Sequence, residues 1–107
     1  MPIRTTPVLP LPTRLREARQ HAGLSQRQLG IEAKIDPDSA SARINQYEQG
    51  KHAPDFQTAA RLAACLKIPV TYFYASDDRL AELILLFDRL TTKSQEKVLH
   101  DVSQLEG

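Results

Sequence analysis

The stretch that decides the fold runs from Leu24 to Lys51 and reads LSQRQLGIEAKIDPDSASARINQYEQGK. Ser25 can cap a helix, and the residues after it place apolar side chains four positions apart, as on one helix face. Asp36-Pro37 interrupts this pattern. A second helix is expected over about Ser39–Gln49, ending at Gly50. The stretch therefore predicts two short helices joined by a connection, the outline of a helix-turn-helix.

The bulk composition is that of a soluble globular protein with one domain. The chain has 107 residues, of which 41% are apolar and 25% charged. Its longest apolar run, residues 83–87, is far shorter than the roughly 18–20 residues of a membrane span. The proline-rich start lacks the apolar core of a secretory signal, and one cysteine excludes an internal disulfide. We expect a cytoplasmic protein with no membrane partner.

Charge is distributed unevenly along the chain. The formal net charge is +1, but residues 1–54 carry eight Lys and Arg against five Asp and Glu, whereas residues 55–107 carry six against eight. The basic half is the half with the helix-turn-helix outline. The excess of positive charge in this half is only three, so any phosphate contacts would depend on well-placed side chains and backbone amides.

The rest of the chain predicts further helices and no strand, so the expected fold class is all-α. A helix is expected over residues 14–21, capped by Thr13, and another after the cap Asp55. A short helix should follow over Pro69–Tyr74, and two more should form a C-terminal hairpin. The resulting divisions are a flexible proline-rich arm over residues 1–12, a helix-turn-helix domain over 13–75 and the hairpin over 76–107.

The segments LSQRQLG, INQYEQGK and KIPVTYFY, with an isoleucine in the turn, resemble the helix-turn-helix domain of the lambda repressor and Cro type. This XRE-like family is common in bacterial and phage regulators, and the resemblance covers about Thr13–Tyr74. It implies a five-helix fold that binds double-stranded DNA, with the helix over about 39–49 in the major groove. The implied function is sequence-specific transcription regulation, with repression from an inverted-repeat operator as the first hypothesis.

The resemblance implies DNA contacts at particular side chains. The expected phosphate-contacting residues are Gln26, Arg27, Gln49, Lys51 and His52. The expected base-reading residues are Ser41, Ala42, Arg43, Asn45 and Gln46. Arg43 is the first candidate, because arginine can bond both O6 and N7 of guanine, while asparagine and glutamine can pair with adenine. The alternative for Arg43 is a surface arginine that bonds a carboxylate such as Glu32.

Two features of the motif bear on its geometry. The resemblance implies a structural ion pair between Arg19 and Glu48, which would fix the angle of the second motif helix. The chain also has about four more residues than common family members, at Asp36–Ser39, and this leaves the expected base-reading register open by up to one helical turn. Gly30 replaces the usual alanine and still allows the two helices to approach closely.

The C-terminal hairpin has more apolar surface than one core-facing stripe needs, because Leu85 and Leu86 widen the stripe. We therefore expect a homodimer, since dimers that read two half-sites are the usual remedy for one short recognition helix. The expected dimerisation residues are Leu83, Leu85, Leu86, Phe87, Leu90, Val98 and Val102. One alternative is that the hairpin packs on its own domain. Another is an antitoxin-like module that neutralises a toxin-like protein through the hairpin, with secondary, autoregulatory DNA binding.

The sequence contains no residue pattern that points to a catalytic function. The histidines His21, His52 and His100 are far apart and have no carboxylate or cysteine at metal-ligand spacing. Cys65 lies in the apolar run AARLAACL, which predicts a buried thiol. We expect no enzyme, no metal site and no cofactor.

Overall fold

The computed structural model describes residues 8–106, and within them every regular element is a helix. The α-helices are α1 (Leu11–His21), α2 (Gln26–Glu32), α3 (Ala40–Glu48), α4 (Phe56–Leu66), α5 (Asp78–Asp88) and α6 (Thr92–Ser103). A 3₁₀ helix, Val70–Tyr74, lies between α4 and α5. The all-α prediction is therefore confirmed. Among residues 8–106, no helix combines the length and the apolar character that crossing a membrane requires.

α1 begins earlier than the sequence suggested. The expected arm over 1–12 is wrong at Leu11 and Pro12, which form the first turn of α1 after the N-cap Pro10. Proline fits a first helical turn because the amides there have no intrahelical partner to lose. Leu11 is only 1% exposed, so burial of its side chain holds this turn on the domain. Residues 1–7 of the expected arm lie outside the described residues.

α2 starts after the expected cap Ser25, α3 follows its expected bounds to within one residue at each end, and a well-defined connection joins the two helices. Ser25 and Gln28 form a reciprocal capping box at the start of α2. α2 ends at Glu32 and is followed by the cap Ala33 and a left-handed Lys34 (φ 72°), and the Ile35 amide donates to the Gly30 carbonyl at 2.9 Å. In the inserted turn, the Asp36 carboxylate accepts from the Asp38 amide at 2.9 Å. α3 begins after this turn, at Ala40, with Ser39 as its N-cap residue.

The core is built from one or more large side chains of each of the first five helical elements. Leu15, Leu29, Ile44, Leu62 and Phe73 are fully buried and come from α1, α2, α3, α4 and the 3₁₀ helix. Cys65, expected to be buried, is half-buried on α4, and its burial raises the pKa of its thiol. The core therefore lies behind α3 and leaves the other side of that helix free.

The C-terminal helices differ in how they attach to this core. α5 buries Ala81, and Ile84 and Leu85 pack against the core. α6 has no buried residue along its 12 residues. The Gln95 side chain links it to α5 by donating to the Phe87 carbonyl at 2.8 Å. α5 is thus part of the domain, whereas α6 is a helix with an uncovered apolar side.

Candidate nucleic-acid interface

α3 presents one side to the core and the opposite side to solvent. Ala40, Ile44, Tyr47 and Glu48 are buried, at helical spacing. The predicted base-reading residues lie on the other side, where Ser41, Ala42, Arg43 and Asn45 are exposed and Gln46 is half-buried. This arrangement exposes a row of mainly polar side chains along a helix whose other face is buried.

An ion pair fixes the C-terminal end of α3. The Arg19 guanidinium donates to both carboxylate oxygens of Glu48, at 2.6 and 3.0 Å, and to the Leu24 carbonyl at 2.9 Å. The Glu48 side chain is 2% exposed, and its hydrogen bonds raise the pKa of the Arg19 guanidinium. A bidentate pair of this kind fixes distance and orientation together. α1, the start of α2 and α3 are therefore held in one geometry.

Gln26 lies beside this pair and connects two predicted groups of DNA contacts. Its side-chain amide donates to the Asn45 side-chain oxygen Oδ1 and to the Glu48 carboxylate, both at 3.2 Å. Sequence reasoning placed Gln26 on phosphate and Asn45 on bases, and it did not foresee their bond. Because the Asn45 amide oxygen has two lone pairs, the bond from Gln26 leaves it one further acceptor position and both N–H donors for other partners.

The remaining candidate contacts flank α3. Arg27 is exposed in the first turn of α2. Gly50, at φ 74°, ends α3, and the Lys51 amide donates back to the Gln46 carbonyl at 2.9 Å. Gln49, Lys51 and His52 are all exposed there, as a polar group at one end of α3 that includes the Lys51 ammonium.

Arg43 lies over a small polar cleft at the same end. Gln46, Tyr47 and His52 line this cleft with it. The alternative pairing of Arg43 with Glu32 does not occur, because the ion pairs among residues 8–106 do not include Arg43. Its guanidinium is therefore available to an external acceptor.

Comparison with known proteins decides the family. A family model described as a helix-turn-helix domain matches residues 13–79, which is more than half of the chain. The chain belongs to the helix-turn-helix family of the lambda repressor and Cro type. The structure also resembles the crystal structure of transcriptional regulator BswR, with a TM-score of 0.83 and 45% sequence identity, over 89% of this chain and 94% of that chain. No curated protein matches the chain at a significant level.

One residue that holds this helix-turn-helix domain together was missed. Arg14 on α1 has a side chain only 8% exposed and donates to the Ala75 carbonyl at 3.0 Å and to the Asp78 carboxylate at 2.9 Å. Its guanidinium also lies 5.7 Å from the centre of the Tyr72 ring. The available signal was its position in the helical series with Leu11, because an arginine on an apolar stripe must find buried partners.

The predicted dimerisation residues fall into two groups in this family member. Leu83, Leu86, Leu90 and Val102 are exposed, and Phe87 and Val98 are half-buried. Leu85 is different, because it lies on the same face as Ala81 and packs against the core of its own domain. A groove between α5 and α6 is lined mainly by apolar side chains, including Leu80, Ile84 and Leu99.

Proposed function

We propose that the chain is a DNA-binding transcriptional regulator whose α3 enters the major groove. The observation that carries this proposal is the free polar face of α3, fixed from behind by the bidentate Arg19–Glu48 pair. Membership of the helix-turn-helix family supports it, and the similar structure is that of a transcriptional regulator. A fixed helix can hold several side chains in register with base edges, as direct readout requires.

Within this interface, we assign different tasks to different side chains. Arg43 is the first candidate for guanine, with Asn45 and Gln46 for adenine and with Ser41 and Ala42 beside them. Arg27, Gln49, Lys51 and His52 contact phosphates at the two ends of the motif. Gln26 retains a phosphate-contacting role at the start of α2, and its bond to Asn45 gives it a second task, the alignment of a base-reading amide.

The first experiment separates base reading from phosphate binding. Preferred duplexes are selected from a random pool by the wild-type protein, Arg43→Ala and Lys51→Ala. We expect Arg43→Ala to relax preference at one base position, at a cost of about 1–3 kcal/mol on the selected site. Lys51→Ala should weaken binding to all sequences and reduce the salt slope by about one.

Two outcomes of that experiment would contradict the proposal. One is wild-type binding that hardly changes with salt, because neutralising phosphates releases counterions. The other is an unchanged selected motif for Arg43→Ala, which would remove this residue from base reading.

We further propose that the protein acts as a homodimeric repressor on an inverted-repeat operator. The support is α6, which buries no residue, although an isolated helix of 12 residues is marginal in water. The exposed and half-buried apolar side chains of α5 and α6 provide the surface that a second copy would cover. This surface comprises Leu83, Leu86, Phe87, Leu90, Val98 and Val102, while Leu85 contributes to the domain core.

A second candidate function uses the same apolar groove. An antitoxin-like protein would cover α5 and α6 with a toxin-like partner, and DNA binding would then be secondary and autoregulatory. Light scattering on the purified chain at micromolar concentration separates the two candidates. A dimeric mass supports the homodimer, whereas a persistent monomer favours a different protein as the occupant of the groove.

A further inference from the structure

Arg14 joins α1 to the place where α5 leaves the domain. Its Nε donates to the Ala75 carbonyl at 3.0 Å, and its Nη2 donates to the Ser76 carbonyl at 3.4 Å and to Asp78 at 2.9 Å. Ala75 and Ser76 are the connector between the 3₁₀ helix and α5, and Asp78 is the first residue of α5. One guanidinium thus contacts the connector and the helix start together.

Because Arg14 contacts both the connector and the first residue of α5, its position bears on the direction in which α5 leaves the domain. The Arg14 guanidinium carbon lies over the Tyr72 ring, 5.7 Å from the ring centre, which is within the range of a cation–π contact. α5 has 11 residues and carries the apolar side chains proposed for dimerisation. A helix of that length is about 16 Å long, so a tilt of about 10° at its start moves its far end by about 3 Å. That displacement is close to the rise of one base pair, about 3.4 Å.

We propose that Arg14 is a positioning residue that sets the distance between the two recognition helices of the dimer, and thereby the half-site spacing that the protein accepts. This inference rests on the proposed homodimer. A lysine would not replace Arg14, because an ammonium cannot present two donors in one fixed plane to the connector and to α5.

The test measures spacing preference, a quantity that a uniform loss of folding stability would not change. The half-sites selected by the wild-type protein are placed in duplexes that differ by single base pairs in their separation, and the affinity for each is measured. We expect Arg14→Met to reduce the preference for the best spacing over its neighbours by about tenfold, the equivalent of one charge-assisted hydrogen bond.

A matched control comes from the same helix. Arg16 is exposed on α1. Arg16→Met removes the same charge and should leave the spacing preference unchanged, even if overall affinity falls. An equal loss of preference in Arg16→Met would overturn the inference, because the charge of α1 would then be the cause. Retention of the full preference by a folded Arg14→Met protein would also overturn it.

A second variant covers the case in which Arg14→Met does not fold. One glycine inserted between Ser76 and Asp77 separates the connector from α5 while Arg14 stays intact. We expect this insertion to flatten or shift the spacing profile, and an unchanged profile would overturn the inference. If the wild-type protein itself shows no spacing preference or is monomeric, the homodimer proposal fails first, so the two failures are distinguishable.

Discussion

Gly30 lies where α2 packs directly against the start of α3, at Ala40. A Cβ at this position would lie 2.7 Å from the Ala40 Cβ and 3.0 Å from the Ala40 carbonyl oxygen. The sequence indicated only that glycine permits a close approach. The structure adds that the alanine usual in the family does not fit here, because Ala40 occupies the space that its methyl group would need.

We predict that Gly30→Ala destabilises the fold. Overpacking costs about 1–3 kcal/mol, and the better helix propensity of alanine offsets about 1 kcal/mol of that cost. Urea unfolding of the single variants and of Gly30→Ala with Ala40→Gly measures the coupling. We expect Gly30→Ala to cost less when Ala40 is glycine, and strictly additive effects would contradict the proposed clash.

Arg14, Gln26 and Leu85 show what sequence reasoning at single residues could not supply. The spacing of Arg19 and Glu48 suggested a pair because the family resemblance offered the partner. By contrast, the partners of Arg14 lie 61 to 64 positions away, and those of Gln26 lie 19 and 22 away. Such contacts depend on how helices pack, which one sequence pattern does not contain.

At the level of helices, local capping decided most boundaries. Thr58 donates its amide to the Asp55 carboxylate at 2.8 Å, and the Leu80 amide donates to Asp77 at 3.2 Å. These side-chain bonds involve residues three apart, so the sequence alone predicts them. The start of α1 was predicted too late because it depends on burial of Leu11, a non-local effect.

These caps predict acid sensitivity. Hydrogen bonds from Thr58 lower the pKa of Asp55, and the Arg79 side chain together with backbone amides lowers the pKa of Asp77. A lowered pKa means that the unfolded state binds protons first. The stabilisation is therefore present above about pH 4, the ordinary aspartate range, and is lost as pH falls through the lower folded-state values.

Thermal unfolding at about pH 7 and about pH 3 measures this effect. We expect Asp55→Asn to show a smaller drop in melting temperature between the two values than the wild-type protein, because asparagine caps a helix without titrating. Asp88 is the control position, because it is the last residue of α5 and does not cap the start of a helix. Asp88→Asn should therefore leave the drop unchanged, and equal effects of the two variants would contradict the capping explanation.

At the scale of the whole molecule, the proposed DNA surface and the apolar groove belong to different elements. The DNA surface is on α2 and α3, whereas the groove is on α5 and α6. Leu83 is 49% exposed in that groove, so a polar substitution there disturbs no buried core. The two functions can therefore be tested separately.

We predict that Leu83→Asp yields a folded monomer. Two linked DNA-binding domains gain about 10²–10⁴ in avidity, so the monomer should bind a two-half-site operator at least about a hundredfold more weakly. Sedimentation velocity gives the mass, and circular dichroism reports folding. Leu83→Met preserves apolar volume and should remain dimeric, and a dimeric Leu83→Asp protein would place the interface elsewhere.

The absence of buried residues in α6 also has a consequence for protein turnover. In the proposed dimer, a second copy would cover α6, and dissociation would leave it held only by contacts with α5 such as the Gln95–Phe87 hydrogen bond. Proteases cleave such weakly held segments first. We expect limited proteolysis to cut within Thr92–Ser103 quickly in dilute solution and slowly in concentrated solution. Uniform cleavage rates at all concentrations would contradict this. A regulator of this kind would be degraded fastest at low concentration, so its cellular concentration would drop sharply once synthesis slows.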